Sequence, residues 1–174
     1  MKAIPLFLLF SLSGFVYGSC GEKESAMPPT PPAAAGEVFR TPAYLQNPAA
    51  DAMTVMWITN VPCRSWVEVG TEPDRLQPVR CYDEGMMVAN RTINKIRLED
   101  LRPGTKYYYR ACSQQILHYG SYKKEFGDTV RMPLASFTTW DERDQDYTVL
   151  VFNDVHKKTE LFGHLMSLVG NEPY

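Results

Sequence analysis

Between Glu37 and Trp140 the sequence divides into seven short segments in which apolar and polar residues tend to alternate, with Pro, Gly and Asn turn signals between them. A period of two places every second side chain on one face of a strand, and no stretch in this span carries the three-to-four spacing of a helix. "AMTVMWITN" sets Met53, Val55 and Trp57 against Thr54, Met56 and Ile58, and "RSWVEVGT" sets Val67 and Val69 against Trp66 and Glu68. "NRTINKIRL" alternates in the same way, and "TKYYYRACS" groups Tyr107, Tyr109 and Ala111. "TPAYLQNP", "RLQPVRCY" and "LASFTTW" are weaker strands, the first two interrupted by Pro48 and Pro78. Seven strands in about 100 residues predict a β-sandwich, with Trp57, Tyr107 and Tyr109 in its core.

The 20-residue segment "QQILHYGSYKKEFGDTVRMP" carries the span's only histidine, His118. It reads as a solvated loop between the last two strands, the alternative being an insertion that meets a substrate or a neighbouring domain. No catalytic constellation is visible in the sandwich.

In "LEDLRPGTKYYY", Pro103-Gly104 makes a turn, and Tyr107 near the start of the next strand is placed to bond back across the corner. "MTVMWIT", "WVEVG", "LEDLRPGTKYYYR" and "SFTTW" together resemble the fibronectin type III-like domain found at the N-terminus of purple acid phosphatases and related metallophosphoesterases. The resemblance covers about residues 40–140.

Past the acidic connector "WDERDQDY", the chain changes texture. "TVLVF" is continuously apolar, which predicts a strand covered on both faces. "KTELFGHLMSLVG" spaces Leu161, Phe162, Leu165, Met166, Leu168 and Val169 helically, with Thr159 as N-cap and Gly170 and Pro173 as the stop. Between them stands "NDVH". If the backbone stays extended, Asp154 and His156 point the same way, about 6–7 Å apart at Cα, and a carboxylate and an imidazole converge on one cation such as Mn, Fe or Zn. Strand C-termini are where α/β sheets place their ligands.

"FNDVH" resembles the first motif of calcineurin-like metallophosphoesterases. That resemblance implies Asp154 and His156 as ligands of one ion in a two-metal site, Asp154 also lying close to the second. The paired Fe, Mn or Zn ions of such enzymes activate water for attack on a phosphate ester. Purple acid phosphatases proper usually lack this histidine and use a later tyrosine, so the site points to the broader group. The family's further motifs, of the types G-D, G-N-H and G-H-x-H, do not follow. The remaining histidine, His164, lies in the predicted helix and matches none of them. No catalytic residue is therefore assigned, and the chain is expected to be a truncated, inactive portion of an exported phosphoesterase. A surface binding module built on the sandwich is the alternative.

The N-terminus directs the chain out of the cytosol. Lys2 precedes the uncharged "AIPLFLLFSLSGFVYG", which is too short for a spanning helix and reads as a signal peptide over residues 1–19. "VYGSC" resembles a bacterial lipobox, with Tyr17 where leucine is usual, and implies lipidation of Cys20 and a membrane anchor at the periplasmic or outer surface. Ordinary cleavage near "VYG" is the other outcome. Residues 20–39 are Pro- and Ala-rich and read as a linker. The expected organisation is thus leader 1–19, linker 20–39, sandwich 40–140 and the start of a metallophosphoesterase domain at 141–174. The fold class is mainly β: an immunoglobulin/fibronectin type III-like sandwich, then the first β–α unit of an α/β domain. A formal net charge of -2 supplies no basic field for nucleic acid. Export permits disulfides, yet Cys63, Cys81 and Cys112 are odd in number, and the spacing does not choose a pair.

Overall fold

The computed structural model describes residues 31–141, 143, 149–153 and 156–169. Its organising element is a strand that serves two layers. After β1 (Tyr44–Gln46), the chain forms β2 (Met53–Gly70) without a break, where the alternation had suggested two separate strands. The first half of β2 pairs antiparallel with β1 and, through Met53–Ile58, with β6 (Ala89–Leu98). Its second half, Cys63–Gly70, pairs with β7 (Lys106–Tyr119), and Val67–Val69 also pair with β3 (Gln77–Val79). The β2–β7 ladder begins just past Pro62, at Cys63, where β6 also resumes its pairing through Cys63–Arg91 and Arg64–Ala89. A proline has no N–H to give a ladder, and the β2–β6 register lapses between Ile58 and Cys63.

β7 is completed on its far side by β8 (Lys124–Arg131) and β9 (Ala135–Thr138). Seven strands are thereby hydrogen-bonded into one array, with a separate small hairpin of β4 (Tyr82–Asp83) and β5 (Met86–Met87). This is the fibronectin type III-like sandwich the alternation predicted. One layer is β1–β2–β6. The other is β3–β2–β7 with β8 and β9, and the two join along β2. The segment expected as a solvated loop at 114–133 is mostly ordered pairing instead. β7 runs on through "SQQILHY" and returns as β8, with His118 opposite Glu125. The hydrophobic alternation there is weak because Ser113 and Gln115 are buried as polar residues beside Ile116, so the buried positions do not read as apolar in the sequence.

The core lies where the two layers face each other. Met53, Val55, Trp57, Val67, Val69, Ile96, Leu98, Tyr107, Tyr109, Ala111 and Phe137 form one buried cluster. Trp57 is 0% exposed, and its indole Nε1 donates to Ser113 Oγ at 2.9 Å. Ser113 in turn lies 2.9 Å from Ser65 Oγ, so the one polar atom of the tryptophan ends in a satisfied network. Phe137 stacks on Tyr107 at 5.8 Å between centroids and tilts against Tyr109 at 5.6 Å.

The Pro/Ala-rich stretch meets the sandwich before residue 40. Gln115 accepts from Ala33 N at 2.7 Å and donates to the Pro31 carbonyl at 2.9 Å. After the single helical turn α1 (Ala35–Val38), Val38 is 1% exposed and Phe39 bridges to Thr59.

Beyond the sandwich, α2 (Thr159–Val169) forms where the spacing placed it, with Thr159 as its first helical residue and not the N-cap. The strand expected at 148–152 does not appear among the described residues: 149–153 carry no ladder, and Val151 is 83% exposed. A strand exists only against a neighbour, and no described segment is positioned to pair with it.

Candidate functional site

The corner that hands the chain from the sandwich to its tail is tightly built. Asp100 and Gly104 both adopt left-handed backbone, with φ of 57° and 60°. They turn the chain between β6 and β7 so that Tyr107, at the start of β7, reaches back. Its hydroxyl accepts from Arg102 N at 3.0 Å, the corner bond the sequence predicted. Thr139, directly after β9, locks into the same corner. Its Oγ1 donates to the Arg102 carbonyl at 2.6 Å and accepts from Thr105 N at 2.9 Å, while its own N–H bonds to the Thr105 carbonyl at 3.1 Å.

Gly104 N then donates to the Trp140 carbonyl at 3.4 Å. A Cβ on Gly104 would stand 2.7 Å from Asp141 Oδ2, so glycine is required both for its φ and for the close passage of the connector. Asp141 is held by Arg143, whose Nη2 lies 2.5 Å from Oδ2. The hydrogen bonds from the Arg143 side chain and backbone bring the Asp141 carboxyl down to about 2. The connector therefore leaves the sandwich in a direction set by four hydrogen bonds to one corner.

The two residues singled out as metal ligands lie past this corner. Asp154 is outside the described residues. His156 is exposed, in a turn with φ of 50°, so the backbone at the histidine is left-handed rather than extended. The reason is the reversal that follows. Thr159 N donates to the Lys157 carbonyl at 3.1 Å, α2 starts, and its first turn carries Phe162 back onto Phe152 edge-to-face at 5.2 Å. A chain that doubles back within so few residues needs a left-handed residue, and histidine tolerates that region better than most. His164 is exposed on α2, as its helical position implied. Among the described residues no three His, Cys, Asp or Glu side chains cluster as a metal site.

A charged cluster that sequence reasoning did not single out sits on the outer face of the β2–β7–β8 layer. Glu68 pairs in register with Arg110, whose Nε is 2.6 Å from Oε2, and Arg131 Nε is 3.4 Å from Oε1. Burial pushes the Glu68 carboxyl up, but hydrogen bonds from Arg110 and Trp66 and the charges of both arginines outweigh it. Its pKa falls below the ordinary 4.5. Arg80 covers the Trp66 ring, and Arg64 lies 3.9 Å over that of Phe126. Alternation marked Trp66 and Glu68 as outward. Only strand pairing brings the arginines to them.

Residues 40–139, more than half of the chain, match the family described as "Purple acid Phosphatase, N-terminal domain". Human "Acid phosphatase type 7" is 36% identical over 117 residues, covering 63% of this chain and 24% of that protein. The mouse protein of the same name is 34% identical over 80 residues, covering 42% of this chain and 18% of its own length. The chain thus spans about a quarter or less of the relatives it matches. A solved domain, the sixth fibronectin type III domain of human fibronectin type III domain containing protein 3, aligns with a TM-score of 0.38 at 16% identity. That alignment covers 62% of this chain and 90% of the solved one.

Proposed function

Because this chain belongs to the purple acid phosphatase N-terminal domain family, we propose that its sandwich is the non-catalytic N-terminal part of an exported, metal-dependent phosphoesterase acting on phosphate esters. The observation that carries the reading is the family match over 40–139, which ends at Thr139, the residue that locks the connector onto the Tyr107 corner. In this reading the sandwich does no chemistry. It sets the direction in which the connector leads into a hydrolytic domain that begins near residue 141.

Asp154 and His156 are proposed ligands of one cation at the start of that domain. A carboxylate and an imidazole suit Fe, Mn or Zn, which when paired supply an activated water and charge stabilisation for phosphoryl oxygens. Two donors do not complete a coordination shell. Aspartate and histidine fit as part of such a site; in this reading the family's further motifs supply the rest, and the chain alone is inactive. The leader at 1–19 and lipidation of Cys20 would place the protein outside the cytosol on a short tether.

Two measurements test this. The purified chain with Mn(II), Zn(II) or Fe(III) and a chromogenic phosphate ester should show no turnover above the metal blank. Turnover that disappears in Asp154→Asn would overturn the assignment of inactivity. Codons for G-D and G-N-H motifs are expected downstream of the Tyr174 codon in the gene. Unrelated sequence there would instead favour a free-standing binding module.

A further inference from the structure

The three cysteines of the sandwich are free thiols, and the strand register sorts them. Cys63 lies opposite Gln115 and Trp66 lies opposite Cys112 in the β2–β7 ladder. Directly opposed residues share a face, and alternation puts Cys63 on the same side of β2 as Ser65, Val67 and Val69. That side faces the core. Cys112 is on the other side with Trp66 and beside Glu68. There burial, and then the charge of Glu68, push its thiol up to about 12. Cys63 and Cys112 are thus separated by the thickness of their own sheet, and no disulfide spans that.

Cys81 is different. Val79 pairs with Val67, and Cys81, two residues further on, packs against the same core cluster as Val79. Its side chain is therefore on the Cys63 side. The two cysteines line one cavity of about 260 Å³, together with Ser65, Tyr82, Asp83 and Val88. Cys63 is 1% exposed, whereas Cys81 is half-buried. The Cys81 carbonyl accepts from Val88 N at 2.9 Å, so the segment bearing it is anchored next to β6 and β2. Both cysteines border the same open space, so a link between them would cross the cavity and not the packed core.

We propose that Cys63 and Cys81 are a redox-active pair that closes into a disulfide across this cavity, while Cys112 stays a thiol. The chemistry is exchange with a small-molecule or protein disulfide. The Cys81 thiolate attacks one sulfur of the oxidant and expels a thiolate. The Cys63 thiol, which burial pushes up to about 11, then gives up its proton, attacks the Cys81 sulfur of the mixed disulfide and expels the second thiolate. Both protein thiols lose their protons, one S–S bond forms, one breaks, and the oxidant leaves as two thiols. The link ties the inner strand β2 to the segment between β3 and β4, closing a loop of roughly 20 residues that the unfolded chain would otherwise leave free.

The test uses the purified full chain with oxidised glutathione as the probe. After alkylation and digestion without reductant, mass spectrometry should find the Cys63 and Cys81 peptides joined, and Cys112 alkylated once the protein is unfolded. The oxidised protein should melt on the order of 10 °C above the reduced one. Cys81→Ala should remove that difference while melting like reduced wild type, and Cys112→Ala should retain it. Equal alkylation of Cys63 and Cys81 with and without oxidant would overturn the proposal, as would a link from Cys81 to Cys20 or Cys112. The linked peptide is read from the wild-type chain, so the result stands even if one variant folds poorly.

Discussion

The sandwich and the tail contain similar raw material and come to different ends. "TVMWI" and "VLVF" are both short runs of strand-forming residues. In the first, Val55 and Trp57 are fully buried because β2 is flanked by β1 and β6 and faced by the second layer. In the second, Val149 and Val151 are exposed, and no described segment lies alongside them. α2 forms regardless. A helix satisfies its backbone within its own residues, whereas a strand is half of a pair and takes its stability from the other half. Apolar composition therefore predicts a core only where the topology supplies partners.

Substitution of the central aromatic in each region breaks the comparison most directly. Trp57→Ala removes a fully buried indole and strands the Ser113–Ser65 hydroxyl pair, and should cost about 3–5 kcal/mol in urea unfolding. Phe162→Ala, on the exposed first turn of α2, should change the same transition by no more than about 0.5 kcal/mol. Similar losses from both would show that the tail shares the core of the sandwich.

A smaller effect is expected at the corner joining the two regions. Gly104→Ala demands left-handed backbone from a residue with a Cβ and pushes that Cβ against Asp141. It should cost about 1–2 kcal/mol and raise amide exchange at Thr105 and Thr139, which the corner protects. Exchange unchanged there would mean that the connector is not held as described.

The smallest effect is electrostatic and has a definite sign. The Glu68 carboxyl is depressed below 4.5 in the folded state, so its contribution is fully present above pH 4.5 and is lost as pH falls through the lower folded value. Glu68→Gln should lower stability at neutral pH by about 0.2–1 kcal/mol and remove part of the acid-side decline. The check is the urea midpoint of both proteins between pH 3 and pH 7. Parallel curves would show that the Arg110 and Arg131 contacts carry no net charge–charge stabilisation.

Much of this architecture could be read from alternation. Met53, Val55, Trp57, Val67, Val69, Tyr107, Tyr109 and Ala111 all lie in the buried cluster, on the faces assigned to them. Tyr107 makes its corner bond because the Pro-Gly turn places it there. Where reading failed, the signal was not local. Pro62 and its neighbours look like a break, yet β2 passes through because the proline falls where one ladder lapses and the next begins. "QQILHYGSYKKEFGDTVRMP" looks like a loop because one of its buried positions, Gln115, is polar and the β7–β8 pairing that orders it joins residues of two strands. Of the proposed metal ligands, the motif was legible but the backbone was not. His156 is left-handed where Phe152 meets Phe162, a contact between residues ten apart that the motif does not encode.

The sequence by itself determined which residues face inward, where the turns fall and that a helix covers residues 159–169, because these follow from side-chain period and local backbone preference. Tertiary structure alone decided that one strand serves both layers, that Arg110 and Arg131 converge on Glu68, and that Cys63 shares a cavity with Cys81 and not with Cys112. Those outcomes depend on register between residues far apart in the chain, and register is set by the summed packing and hydrogen bonding of whole strands, which no single segment encodes.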